Sequence, residues 1–352
     1  MGEKVKVIPI AKSYENEIKE YVKSVQERGL KTPKLVGILA TSDPAASSYA
    51  EWTGKAFLSD GLRYSLIRCT DPLHVESHLQ ALDADPDVSG IIVYYPCFGT
   101  QPSYSGVSMD DYLRDSVSPR KDVEGLCWSY RTALYKNVRY LEGDANRKCI
   151  LPCTALSVVK ILESLEVSSV SKPPGRRMEG KTVTIVNRSE IVGRPLAAML
   201  ANDGATVFSV DIDTIYEFAN GRLEKCDLEA KECVGKSDVV VLGVPVKSYK
   251  MDTGWIKPNT VVVNVASFKN YEEDKILSVD GVRVVGMVGK VTVKMLERNL
   301  CRLHKQYSVE GGMGGRESNI KDKVEEIRTW AVVAAGMATV AAIAAVVAAR
   351  RK

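Results

Sequence analysis

Residues 181–211 hold the sharpest chemical signal in this chain of 352 residues. An apolar run, KTVTIVN (181–187), passes directly into RSEIVGRP and then into a helical pattern over about 193–203. A strand, a tight turn and a helix N-terminus in that order make an anion site, because free backbone N–H groups and the helix dipole face the turn. Gly193 lets the backbone approach a pyrophosphate closely, and Pro195 suits the first helical turn, where its missing N–H costs nothing. The loop is not a full GxGxxG: Asn187 stands where the first glycine would be. Asp211 ends the next strand, and a carboxylate there accepts hydrogen bonds from the adenosine ribose while repelling a 2′-phosphate. The pattern therefore points to NAD rather than NADP. The plainer readings are an ordinary strand-to-helix turn and a solvated aspartate.

Metal chemistry lacks its ligands. The eight cysteines, at 69, 97, 127, 149, 153, 226, 233 and 301, form no CxxC pair, and there are three histidines. His74 and His78 share a helix face but have no third ligand in view, so a solvated face is the better reading. The thiols read as reduced and the chain as cytoplasmic, with no metal.

Two alternating series must position these residues. The first predicts helices over 11–28, 45–60 and 72–83, between strands at 35–40, 65–70 and 90–95. After a helix over 155–166 and a Pro/Gly-rich connector at 169–180 comes the second series. Its strands are 181–187, 205–211, 238–243, 260–266 and 283–288, closed by a helix over 291–306. Strands alternating with helices predict an α/β fold built of parallel units.

Several stretches now resemble one family. SSYAEWTGKAFLSDG, GIIVYYP, KDVEGL, ILPCTAL, VNRSEIVGRPLAAML and GKVTVKML occur in the order and spacing of the methylenetetrahydrofolate dehydrogenase/cyclohydrolase family, over roughly 5–306. VYYPCFG, the KDVEGL variant, NVRYL at 137–141 and the SVD strand end resemble its monofunctional, NAD-dependent branch. The resemblance implies an N-terminal α/β catalytic domain and a Rossmann NAD-binding domain, with a C-terminal helix returning to the first. The expected division is 1–154 plus 291–308 for the folate domain and 155–290 for the Rossmann domain. It also implies a folate cleft between the domains and a homodimer.

The resemblance further implies roles. Tyr49 would stack on the aminobenzoyl ring of tetrahydrofolate, and Thr53, Tyr94, Tyr95 and Pro96 would border the substrate. Glu124 would hydrogen-bond the pterin. Cys153 resembles an active-site cysteine; at a helix N-terminus its thiol is expected to ionise more easily, although hydride transfer requires no thiol. Asn187, Arg188, Ser189, Gly193, Asp211 and Ile212 would hold one end of the cofactor, with Arg188 and Ser189 on its phosphates. Gly243, Val244 and Pro245 would lie against the nicotinamide ribose. Gly289, Lys290 and Thr292 replace a longer glycine-rich loop and would border nicotinamide and folate. Each has a plainer alternative: a core tyrosine, a surface glutamate, a buried small thiol, a loop capping pair or a strand-end turn.

Three departures bear on the chemistry. Bifunctional members carry a lysine where Thr53 stands, a glutamine where Tyr94 stands and an aspartate where Glu124 stands. Lys55 is two residues on, about 200° around a helix from Thr53. Oxidation of methylenetetrahydrofolate gives a cation stabilised by its own two nitrogens, so the protein mainly orients the reactants. Hydrolysis of the methenyl product needs managed proton transfers, for which threonine has no suitable pKa. The chain is therefore expected to be an NAD-dependent dehydrogenase in one-carbon metabolism and purine biosynthesis, with cyclohydrolase activity absent. A bifunctional enzyme rescued by Lys55, and a tethered nucleotide-binding module without turnover, are the alternatives.

Composition leaves room for this reading. Hydrophobic residues make up 45% and charged residues 26%, ordinary for a globular protein, and the net charge is +4. Arg350, Arg351 and Lys352 carry most of that charge, so the body has no basic face suited to nucleic acid. They follow a Gly-rich linker (309–329) and an uncharged run, WAVVAAGMATVAAIAAVVAA (330–349), that is half alanine. As a helix the run would span about 30 Å, the thickness of a bilayer core. It reads as a candidate C-terminal anchor to an organelle membrane facing the cytosol, with a surface-docked helix as the alternative.

Overall fold

The computed structural model describes residues 1–219 and 221–307, and residues 1–304 form one compact unit. The linker and the apolar run at 330–349 lie outside the described residues, among which no helix is long and apolar enough to cross a membrane.

The chain opens with a two-residue strand, β1 (Glu3–Lys4), and helix α1 (Ile8–Glu27). A first α/β series follows: β2 (Lys34–Leu39), α2 (Pro44–Ser59), β3 (Arg63–Arg68), α3 (Pro72–Ala84) and β4 (Gly90–Val93). Both α2 and α3 start at an Asp-Pro pair. The Asp43 and Asp71 carboxylates accept from the backbone N–H of Ala45 (3.0 Å) and Leu73 (2.7 Å), while proline takes the first helical position. Short helices α4 (Met109–Asp115) and α5 (Trp128–Tyr135) lead to α6 (Cys153–Ser164).

The second series is β5 (Thr182–Val186), α7 (Gly193–Asn202), β6 (Thr206–Val210), β7 (Ile215–Ala219), β8 (Arg222–Cys226), α8 (Ala230–Lys236), β9 (Val239–Leu242), β10 (Val261–Asn264), α9 (Glu273–Ser278) and β11 (Arg283–Val285). It ends in α10 (Gly289–Tyr307).

Two sheets result. The smaller is parallel, ordered β3-β2-β4; the larger is ordered β1-β11-β10-β9-β5-β6-β7-β8. In the larger sheet β5 is flanked by β6 and β9 in parallel register, with Val186 opposite both Val210 and Leu242. Asn187, Asp211 and Gly243 therefore share one carboxyl edge, at the point where the winding reverses, which is where such sheets bind ligands. The valine-rich strands are buried on both faces, as a covered parallel sheet requires.

Two features depart from the sequence reading. Glu3 and Lys4 pair in parallel with β11, so the first residues belong to the larger sheet and not to the folate domain into which 1–154 would put them. The antiparallel hairpin β7–β8 extends the sheet beyond β6 where no strand was expected; Gly221, at φ +75°, makes its turn. Helix α10 does return to the first sheet. Its Leu300 packs where any side chain at Gly90 would stand, its Lys294 pairs with buried Asp60, and its His304 Nδ1 lies 2.9 Å from the Tyr21 hydroxyl.

Candidate active site

At the carboxyl edge of the smaller sheet lies a cleft lined by Tyr49, Tyr95, Glu124, Cys153, Ile191 and Thr292, among others. Five separate segments and the dinucleotide loop thus meet in one cavity.

Glu124 is placed by its neighbour. Buried Asp122 accepts from the backbone N–H groups of Glu124 (3.0 Å), Gly125 (2.9 Å) and Cys127 (2.8 Å), folding the segment into a turn. Gly125 has φ +65° and passes so close to the Ile150 carbonyl that a Cβ would stand 2.9 Å from it. The turn aims the Glu124 carboxyl into the cleft, where it has no hydrogen-bond partner among the described residues. Burial, with Asp122 beside it, pushes its pKa up to about 8, against the pull of Arg114. An unpaired carboxyl at the end of a cleft suits a ligand presenting N–H donors.

Tyr49 projects from α2 into the same cleft. Its ring meets Tyr94 edge-on, with centroids 5.8 Å apart, and burial raises its hydroxyl pKa. Thr53, one turn on, is fully buried; its hydroxyl faces the Tyr49 and Tyr94 phenols without a hydrogen bond of good geometry. Lys55 is exposed on the opposite side of α2. The Tyr94 hydroxyl lies 3.0 Å from that of Tyr64, which donates to the Ala50 carbonyl at 3.1 Å. Two glycines make room for these rings: a Cβ at Gly54 would stand 2.7 Å from the Tyr64 ring, and one at Gly37 2.9 Å from the Tyr94 ring. Tyr95 lies under the Arg114 guanidinium, and the Tyr95–Pro96 peptide is cis.

Cys153 begins α6, yet burial, then the nearby Glu124, raise its thiol pKa well above the usual value. The expectation of an easily ionised thiol fails because the helix-end argument presumes access to water. The thiol donates to the Val123 carbonyl at 3.3 Å. Asn299 of α10 carries no local sequence signal. Its Nδ2 reaches the Val123 carbonyl (2.9 Å), the Leu151 carbonyl (3.0 Å) and the Cys153 sulfur (3.3 Å), tying the Glu124 turn, the α6 start and α10 together. Thr292 also lines the cleft, donating to Ser157 at 3.1 Å.

The dinucleotide loop is tightly built. Asn187 has φ +97° and donates from Nδ2 to the Gly243 carbonyl at 2.5 Å, linking the ends of β5 and β9. The Ser189 hydroxyl oxygen accepts from the N–H groups of Val192 and Gly193, each at 3.2 Å. The backbone N–H groups of Ser189, Glu190 and Ile191 find no acceptor among the described residues, which leaves them for an anion. Asp211 and Ile212 are exposed at the end of β6, as a ribose and a base face would require. Val244 is held by buried Asn270, which accepts from its N–H at 2.9 Å and donates to its carbonyl at 3.1 Å. Asn264 in turn accepts from the Asn270 N–H at 3.1 Å. This asparagine pair, which braces Gly243, Val244 and Pro245, carries no periodic sequence signal.

Arg188 is turned away from phosphate. Its guanidinium donates to the Ser209 hydroxyl (3.1 Å) and carbonyl (2.6 Å) and to the Thr214 hydroxyl (2.9 Å) and carbonyl (2.8 Å), and it lies over the Tyr216 ring. With its donors engaged it pins the turn after β6, the plainer of its two readings. Gly289 and Lys290 likewise form the first turn of α10 rather than a loop, Gly289 against the Trp52 ring and Lys290 on a second cavity.

Comparison with known proteins agrees with this geometry. Residues 5–124 match the model of the tetrahydrofolate dehydrogenase/cyclohydrolase catalytic domain, and residues 152–308 match its NAD(P)-binding domain. The chain belongs to this family. It is 42% identical over 308 residues to the methylenetetrahydrofolate dehydrogenase [NAD(+)] of Dictyostelium discoideum, covering 85% of this chain and 93% of the relative. It is 44% identical over 300 residues to the Saccharomyces cerevisiae enzyme of the same name, covering 82% and 90%. The solved structure of the NAD-dependent 5,10-methylenetetrahydrofolate dehydrogenase from Saccharomyces cerevisiae superposes with a TM-score of 0.80 at 41% identity, covering 87% and 98%.

Proposed function

We propose that this chain oxidises 5,10-methylenetetrahydrofolate to 5,10-methenyltetrahydrofolate with NAD. One observation carries the reading: Ile191 of the dinucleotide loop lines the same cleft as Tyr49 and Glu124, so the two ligands meet there. The Glu124 carboxylate accepts from the pterin N–H groups, and the Tyr49 ring covers the aminobenzoyl group. Ser189, Gly193, Asp211 and Ile212 hold the adenosine diphosphate half of NAD, and the 243–245 turn orients the other half. NAD, when bound, supplies the acceptor for the hydride that leaves the methylene carbon. No base is required, because the product cation is shared by two nitrogens, and the chain's part is alignment. This agrees with a Cys153 thiol kept protonated. The acidic group at 211 supports NAD over NADP.

The test is turnover by the full-length chain with methylenetetrahydrofolate and either cofactor. NADH formation, at a rate well above NADPH formation, is expected. No reduced cofactor overturns the reading, and preference for NADP overturns the role of Asp211.

The same reading assigns no cyclohydrolase activity. The pocket of the family lysine is filled by Thr53, Tyr94 and Tyr64, and among the described residues no carboxylate reaches the Thr53 hydroxyl. Thr53→Lys alone is expected to leave methenyl hydrolysis at the uncatalysed rate and to lower dehydrogenase kcat/KM about tenfold or more, since it overpacks the site and buries an unpaired cation. Following methenyl decay and NADH separately checks this; enzyme-dependent decay in the variant would show that one residue suffices.

The proposal places the enzyme in the cytoplasm, in one-carbon supply to purine synthesis, as a homodimer. The exposed terminal strand β8 is an unpaired edge compatible with association. The sequence of 330–349 supports attachment to a membrane. Full-length protein is expected in the pellet after carbonate extraction of membranes; complete release would end that part of the proposal.

A further inference from the structure

Helix α10 puts Thr292 and Leu296 on the wall of the cleft, and Asn299 stands about two turns beyond Thr292 on the same helix. Asn299 is fully buried and does not line the cleft itself. The function proposed above gives it no role.

The peptide unit between Val123 and Glu124 is held at both ends. Its N–H, on Glu124, donates to the Asp122 carboxylate at 3.0 Å. Its carbonyl, on Val123, accepts from Asn299 Nδ2 at 2.9 Å and from the Cys153 thiol at 3.3 Å. The next peptide is fixed too, because the Gly125 N–H donates to the same Asp122 oxygen at 2.9 Å. Peptide units are planar, so fixing the two that flank Glu124 sets its φ and ψ, and with them the direction of its Cα–Cβ bond. Asp122 belongs to the turn and holds its N–H side. The carbonyl side depends on a residue 176 positions away.

The chemistry of the clamp explains the residue type. The Asn299 amide spans the Val123 and Leu151 carbonyls, to which no backbone N–H donates among the described residues. An ionised aspartate of the same shape offers no donor, and an aliphatic side chain offers none either. Without the amide, Val123 keeps only the weak thiol donor and the peptide is free to tilt.

We infer that Asn299 is a positioning residue for the folate substrate: by clamping the Val123 carbonyl from α10, it sets the angle at which the Glu124 carboxylate meets the pterin N–H groups. The inference rests on the substrate reading above and deepens it. Paired N–H contacts need the accepting group held to about 10–20°. The pterin is gripped alike in the ground and transition states, so a lost clamp acts on KM rather than on kcat.

The test is a double-variant cycle on full-length protein, reading kcat and KM for methylenetetrahydrofolate and NAD affinity by titration. Asn299→Ala and Asn299→Asp both remove the amide, the first leaving a void and the second keeping the shape. Each is expected to raise KM about tenfold, to leave kcat within about twofold, and to bind NAD as the wild type does. Added to Glu124→Gln, either is expected to cost less than about twofold more in kcat/KM, because the carboxylate that Asn299 positions is already gone. Losses that multiply, about tenfold in both backgrounds, would show Asn299 acting apart from Glu124 and would sink the inference. An unchanged KM, a loss carried by kcat, or weakened NAD binding, the mark of a general structural defect, would sink it as well. Asn299→Asp, which leaves no void, decides the matter if Asn299→Ala does not fold. Turnover by the wild type separates these outcomes from failure of the dehydrogenase reading, in which no NADH forms.

Discussion

Gly193→Ala is expected to abolish NAD binding within the range of a titration and to lower the melting temperature. A Cβ at this position would stand 2.1 Å from the Asn187 carbonyl oxygen and 3.0 Å from the Arg188 Cα. Both are backbone, so no side chain can rotate away. The loop itself is pinned, by the Asn187 N–H to the Val210 carbonyl at 2.9 Å and by Asn187 Nδ2 to Gly243. Relief must come from moving α7 or breaking the bridge between β5 and β9. Such overpacking costs about 1–3 kcal/mol of stability. The effect on the cofactor is larger than on the fold. In the proposed cradle the N–H groups of 189–191 hold one anion, and a displacement of about 1 Å loses most of that alignment, an affinity change of about 100-fold or more. Gly235→Ala is the matched control. Its Cβ would find nothing nearer than 3.7 Å, on exposed α8, so it should bind NAD normally and melt no lower. Normal NAD binding by Gly193→Ala would show that this loop is not the cofactor cradle.

The close backbone approach at Gly193 and the place of Asp211 at the end of β6 were legible in the sequence, since the first restricts the residue type and the second follows from the strand pattern. The buried strands were legible because both faces are covered, which leaves continuous apolar runs. β1 was not, since two charged residues join the sheet through backbone pairing with residues 279–280 positions away. The same holds for Asn299 and Asn270, which brace carbonyls far along the chain and so have neither periodicity nor a local signal. Arg188 was misread because a guanidinium suits phosphate and strand-end carbonyls equally, and only the fold decides between them. Cys153 was misread because position on a helix gives the dipole's sign but not the burial that opposes it. What the sequence conceals is the set of long-range polar braces, and these hold the site's two halves together.

Glu124→Gln is expected to lower kcat/KM for methylenetetrahydrofolate about 100-fold and to flatten its pH dependence. In the wild type the carboxyl is pushed up to about 8 by burial and by Asp122, so it is mostly protonated at pH 7 before substrate arrives. The pterin offers N–H donors, which only the ionised form accepts from both oxygens. Thus kcat/KM should rise about tenfold per pH unit up to pH 8 and then level. Glutamine presents one acceptor and an opposed donor, and leaving a buried donor unpaired costs about 1–3 kcal/mol. Stability runs the other way. The ordinary value for this group is 4.5, so between pH 4.5 and about 8 the folded chain holds a proton that the unfolded chain has released. Wild-type stability therefore falls as pH rises through that window. Glutamine has no such proton, so the variant should gain in melting temperature relative to wild type from pH 5 to pH 8.5 while losing activity at every pH. A variant whose kcat/KM keeps the wild-type rise towards pH 8 would place the titrating group elsewhere, and one whose melting temperature tracks the wild type across the window would show that Glu124 is ionised before substrate binds.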